Sequence, residues 1–212
     1  MLPPLLLLVL SMMSWCCGGG AAARPAPPSP SPDPVPGFVR SWCAGTEYPA
    51  LCDATLAPYA AAVGSSPARL SWAALTAARG GARAATAAVK AVAAAGHLAP
   101  AAAEAARDCV SMLGGAEDLL RQSAEAMARL GKEERRRDAR FVSSHRDTRF
   151  EVGSVQAWVS AALTDGDMCV EGFREEAAGG GVREAVRGHV VGVVHLTANA
   201  LGIVNAMAKQ MP

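Results

Sequence analysis

The stretch "VREAVRGHVVGVVHLTANALGIVNAMAK", residues 182–209, decides the fold. Val182, Val186, Val190, Val193, Thr197, Leu201 and Val204 recur at steps of 4, 4, 3, 4, 4 and 3, the spacing that keeps one stripe on one side of a helix. A helix cannot bury such a stripe against itself, so it needs partners of similar length.

Three upstream segments supply them. From Pro67 onward alanine dominates and proline nearly disappears, and alanine has the best helix propensity because it loses no side-chain entropy. The first segment runs from about Ser66, a cap ahead of Pro67 at the first helical position, to Ala95 before Gly96. Gly80 and Gly81 in its middle are soft spots of roughly 1 kcal/mol each against alanine. The second runs from about Pro100 to Leu130 and stops at Gly131. The third runs from about Val152 to Ala178, interrupted near "TDGDM" (residues 164–168) and ended by the glycines at 179–181. The fourth is the opening stretch, Val182 to about Lys209. No alternating β-branched run bounded by hairpin turns occurs. The pattern predicts an all-α chain whose simplest packing is an antiparallel four-helix bundle with short connections.

The amino-terminal part carries different signals. "MLPPLLLLVL" and the small residues ending in "GGGAAA" read as a secretory signal peptide over residues 1–23. Its apolar run is shorter than the ~20 residues that span a bilayer and is broken by Pro3 and Pro4. No membrane association is expected once it is cleaved. "RPAPPSPSPDPVPG", residues 24–37, repeats proline too often for a packed element and predicts an extended linker. The remaining residues, 38–209, suffice for one domain with a proper core. No Asn-x-Ser/Thr sequon follows, since Asn199 and Asn205 precede "AL" and "AM".

Cleavage would remove Cys16 and Cys17 and leave Cys43, Cys52, Cys109 and Cys169. An even number in a secreted chain implies two disulfides, with three pairings open. A short helical hairpin closed by Cys43 and Cys52 fits their spacing, with Tyr48-Pro49 as the break between them. If the second and third long helices are antiparallel neighbours, Cys109 and Cys169 can also meet. Loop-closure entropy is worth about 3 kcal/mol for the short loop and about 4 for the long one. Those amounts matter in a core of alanine, which buries little apolar area.

Catalytic patterns are missing. The chain has no Gly-x-Ser-x-Gly elbow, phosphate-binding loop or His-Glu-x-x-His pair. His189 and His195, six apart, fall on different faces of one helix, and His97 and His145 fall in expected loops. No Cys-x-x-Cys pair suggests zinc, and no cofactor is expected. The formal net charge is +1, and the basic run "KEERRRDAR" (Lys132 to Arg140) is interleaved with acids and lacks aromatics to stack bases. It reads as a solvated loop or helix end, with no nucleic-acid partner. Trp42, Trp72 and Trp158, with Met112, Met127, Met207 and Met211, read as packing residues.

Four stretches, in order, resemble the plant invertase and pectin methylesterase inhibitor family: "CAGTEYPALC" (Cys43 to Cys52), "RDCV" around Asp108 and Cys109, "VQAWVSAALTDGDMCVEGF" (Val155 to Phe173), and "HLTANALGIVNAM" (His195 to Met207). The resemblance implies a helical hairpin followed by a four-helix bundle, with disulfides Cys43 to Cys52 and Cys109 to Cys169. It implies no enzyme activity. It implies a secreted inhibitor in the cell wall or apoplast that occludes the cleft of pectin methylesterase, or of acid invertase, one to one. A homodimer through exchange of the amino-terminal hairpin is a further possibility. Pectin methylesterase inhibitors use acidic and polar side chains near the helix-two and helix-three cysteines, which carries over to Glu117, Asp118 and Glu171. The chain lacks the Pro-Lys-Phe motif of invertase inhibitors before Asp108. Ser111, Leu113, Gly115 and Met168 stand where esterase inhibitors commonly have acids, a tyrosine and a threonine. A wall-associated module that binds without inhibiting is the alternative these departures suggest.

Overall fold

The computed structural model describes residues 37–95, 98–137, 145–173 and 180–211. The expected signal peptide, nearly all of the proline-rich linker and His97 lie outside these ranges. The described residues are helical, without strand. Helices α1 (Gly37–Cys43) and α2 (Pro49–Leu56) form a hairpin, followed by a 3-10 turn (Ala57–Tyr59) and the short α3 (Ala60–Val63). Gly64 then takes φ 57°, a left-handed turn suited to glycine. The long helices are α4 (Pro67–Ala95), α5 (Pro100–Arg137), α6 (His145–Glu171) and α7 (Gly180–Lys209).

The start of α4 follows the sequence. Ser66 Oγ accepts the Arg69 backbone N–H at 3.1 Å, the bond a cap makes to the third helical residue. The Ser66 hydroxyl in turn donates to the Glu134 carboxylate at the far end of α5. Pairs along each seam run in opposite numerical order. Ser66 meets Glu134 while Arg79 meets Glu117, and Cys109 meets Cys169 while Arg129 meets Glu151. The α6–α7 seam pairs Gly166 with Val194 and Gln156 with Asn205. Each neighbour is therefore antiparallel, and the helices close a ring in the order α4, α5, α6, α7, with α7 packed back on α4.

Within the ring, Val186, Val190, Val193, Thr197 and Val204 of the opening stripe are buried, while Val182 and Leu201 are partly so. Helix α7 is long and apolar enough to cross a membrane. Its apolar side is the bundle core, which accounts for that composition. Alanine is the commonest buried residue among those described. Met127 and Met207 join the core, and Trp42, Trp72, Trp158, Met112 and Met211 pack against it half-buried.

The structure corrects three helix boundaries. Helix α5 does not stop at Gly131 but continues to Arg137. Helix α6 starts at His145, expected in a loop, runs unbroken through residues 164–168 and ends at Glu171 rather than Ala178. The chain turns there and buries Phe173. Glycine was misleading as a breaker because its ~1 kcal/mol helix cost is outweighed by packing. A Cβ at Gly131 would stand 2.9 Å from Cγ of Arg69, one at Gly166 would stand 3.0 Å from Cγ2 of Val194, and one at Gly81 would stand 3.2 Å from Cδ1 of Leu196. At these glycines a side chain would press on a side chain of the neighbouring helix.

The hairpin is tied internally and to the bundle. Cys43 and Cys52 are bonded, with Cα atoms 5.5 Å apart. Buried Asn199 of α7 accepts the Tyr48 N–H at 2.9 Å and donates to the Tyr48 carbonyl at 3.0 Å. The Tyr48 ring stacks on His195, centroids 3.9 Å apart, and the Thr46 side chain lies over Gly202. One amide thus satisfies both backbone groups at the hairpin tip.

Two predictions follow the packing. Gly80 has no neighbour near its missing Cβ, so Gly80→Ala should raise stability by about 1 kcal/mol, whereas Gly81→Val should cost about 1–3 kcal/mol through overpacking against α7. Asn199→Ala strands the Tyr48 N–H, while the Tyr48 carbonyl keeps the Cys52 N–H at 2.9 Å, and should cost about 1–3 kcal/mol in urea unfolding of the oxidised chain.

Candidate functional site

The second disulfide fixes the geometry of the candidate surface. Cys109 lies near the start of α5 and Cys169 near the end of α6, 60 positions apart, and their bond holds the Cα atoms 4.4 Å from each other. Both cysteines are buried, while Arg107, Asp108, Asp167 and Met168 around them are exposed. Met168 is 49% exposed and, with Phe150, one of two large hydrophobic residues so exposed among the described residues.

The predicted contact acids do not form one cluster. Glu117 turns into the groove between α4 and α5, where its Oε1 lies 3.4 Å from Nε of both Arg79 and Arg83. Two guanidiniums thus hold this half-covered carboxylate. Asp118, one residue on, faces outward with its side chain 70% exposed and Oδ1 3.4 Å from Arg121. Arg121 also pairs with Glu125 at 3.1 Å. Glu171 is exposed at the last residue of α6. The disulfide register sets it level with Arg107, roughly 15 Å along the axis from Glu117 at ~1.5 Å per residue.

The departures from the family's pattern acquire physical content. Leu113 is fully buried, so this position fills the core instead of facing a partner. Ser111 and Gly115 are exposed. At Gly115 the space a side chain would take is met by Asp165, whose Oδ2 lies 3.4 Å from the position of a Cβ. The acid missing from α5 is thus approached by one from α6. Partial burial raises the pKa of the Asp165 carboxyl from its ordinary value.

Sequence reading missed Asp165 because a helix break was expected at residues 164–168. It also missed the junction with the hairpin tip. There the Tyr48 hydroxyl donates to Glu47 at 2.9 Å, and that bond is the main cause raising the Tyr48 pKa, with burial and the charges of Glu47 and Asp167 adding to it. The helical period, applied across an unbroken α6, would have brought Asp165 toward α5.

Fold and surface together define a disulfide-tied helical bundle that presents a rigid, charged face. Residues 37–203 match the family described as plant invertase/pectin methylesterase inhibitor. The chain belongs to that family, whose members are proteinaceous inhibitors and not catalysts. It is 35% identical over 175 residues to pectinesterase inhibitor 9 of Arabidopsis thaliana, covering 82% of this chain and 81% of that one. It is 30% identical over 177 residues to the "21 kDa protein" of Daucus carota, covering 84% and 86%. Among solved structures, a mutant form of a pectin methylesterase inhibitor from Arabidopsis superposes with TM-score 0.57 at 19% identity, over 80% of this chain and 94% of that one. That likeness establishes the shared fold.

Asp165 allows a pH test. Its raised folded-state pKa favours the neutral form, so its favourable contribution is complete below the unfolded value and lost as pH rises through the folded one. Asp165→Asn should therefore raise the melting temperature relative to the native chain near pH 7 and leave it almost unchanged near pH 3, below the ordinary Asp value of about 3.9.

Proposed function

We propose that this chain is a secreted inhibitor of pectin methylesterase that occludes the enzyme's substrate cleft one to one in the cell wall. The observation that carries the reading is the match to the inhibitor family over residues 37–203, joined to relatives whose names specify pectinesterase inhibition. Absence of Pro-Lys-Phe before Asp108 favours esterase over acid invertase. The leader at residues 1–23 and the two disulfides suit an oxidising, extracellular setting.

In this reading the α5–α6 face is the contact surface. Asp118 and Glu171 are exposed acids on this face. Glu117, turned into the α4–α5 groove and held there by Arg79 and Arg83, borders this face without forming part of it, and Asp165 supplies the acid beside Gly115. Rigidity is the mechanism: a surface held by a covalent bond and antiparallel seams loses little conformational entropy on docking. Dimerisation by hairpin exchange would require the Asn199 clamp on Tyr48 to open, so we expect a slow, minor route.

The test is titration of the oxidised chain against several plant pectin methylesterases and an acid invertase at acidic pH. We expect stoichiometric inhibition of at least one esterase and none of invertase. Asp118→Lys and Glu171→Lys should each weaken inhibition roughly tenfold, about 1.4 kcal/mol, without changing the melting temperature. Inhibition of invertase alone would transfer the function to that enzyme. Binding to wall material without inhibiting any esterase would establish the non-inhibitory module.

A further inference from the structure

Phe150 is 79% exposed, on the face of α6 far from the disulfide. A hollow of about 680 Å³ is lined there by Asp147, Phe150, Glu151, Ser154 and Trp158. Asp147, Phe150, Ser154 and Trp158 follow at steps of 3, 4 and 4, with Glu151 next to Phe150, and make one continuous strip of α6. The two aromatic rings flank Glu151, Asp147 lies one turn before Phe150, and Trp158 is backed by the core.

The adjoining strip of α5 has the opposite charge. Arg129, Lys132 and Arg136 follow at steps of 3 and 4 and are all exposed. Arg129 reaches across to Glu151 at 2.7 Å, which shows that the two strips lie side by side. A patch with an acidic aromatic half and a basic half is self-complementary. Rotation by a two-fold axis lays each half on the other half of a second copy, the requirement of an isologous contact.

We propose that two copies of this chain pair through this α5–α6 patch, Lys132 and Arg136 of one copy meeting Asp147 and the Phe150 ring of the other. A guanidinium over an aromatic face and beside a carboxylate combines cation–π and ionic attraction. The strip from Asp147 to Trp158 is only about 17 Å long at ~1.5 Å per residue, which sets the pair among small, weak interfaces. Phe150 lies about 28 Å along α6 from Cys169, so pairing leaves the disulfide end of both copies free. The contact is independent of the hairpin and of which enzyme is inhibited.

Sedimentation of the oxidised chain over a concentration series tests it. We expect a reversible dimer, weakened by added salt. Phe150→Asp should raise the dissociation constant at least tenfold with circular dichroism unchanged. Arg136→Glu should do the same, and Arg136→Glu combined with Asp147→Arg should restore pairing by exchanging the charges. A monomer at every concentration, a dimer indifferent to Phe150→Asp, or a double variant no better than Arg136→Glu alone would each overturn the proposal.

Discussion

Close approach of helices is the constraint from which the remaining structure follows. Alanine forms helix readily but buries little apolar surface, so a core made largely of it coheres only if the helix axes come near each other. Gly81, Gly131 and Gly166 sit where a side chain would press on one from the neighbouring helix. Each carries a local helix penalty that the seam offsets. A bundle of larger residues would tolerate wider spacing and would not need glycine there.

Thin apolar seams also explain the covalent and polar ties. The bond between Cys109 and Cys169 joins α5 and α6 at one end, and the Arg129–Glu151 pair joins them toward the other. On the opposite side of α5, Ser66, Glu134, Arg79, Arg83 and Glu117 tie it to α4. Asn199 binds the hairpin to α7 through the backbone of Tyr48, a contact independent of the tyrosine ring. These ties make a rigid frame, which suits the docking role proposed for the chain.

The distribution of charge over that frame separates two kinds of acid. Glu117 is committed to arginines of its own chain, whereas Asp118 faces outward with most of its side chain in solvent. Asp165 is held half-covered against Gly115, where a carboxylate loses part of its hydration. Recognition by such a face depends less on the number of acids than on which are already neutralised by neighbours.

Helix type, the inward stripe of the last helix, the Ser66 cap and the compatibility of both cysteine pairs with a hairpin and a bundle were legible in the chain itself. They depend on local propensity, on a period of 3.6 and on sequence spacing. The bounds of α5 and α6, the course through residues 164–168, the inward turn of Leu113 and the partners of Glu117 were not legible. Glycine breaks a helix when nothing packs on it and admits a neighbour when something does. Only the arrangement of the other helices decides between these outcomes, because the deciding atoms, such as those of Val194 over Gly166, are distant in sequence.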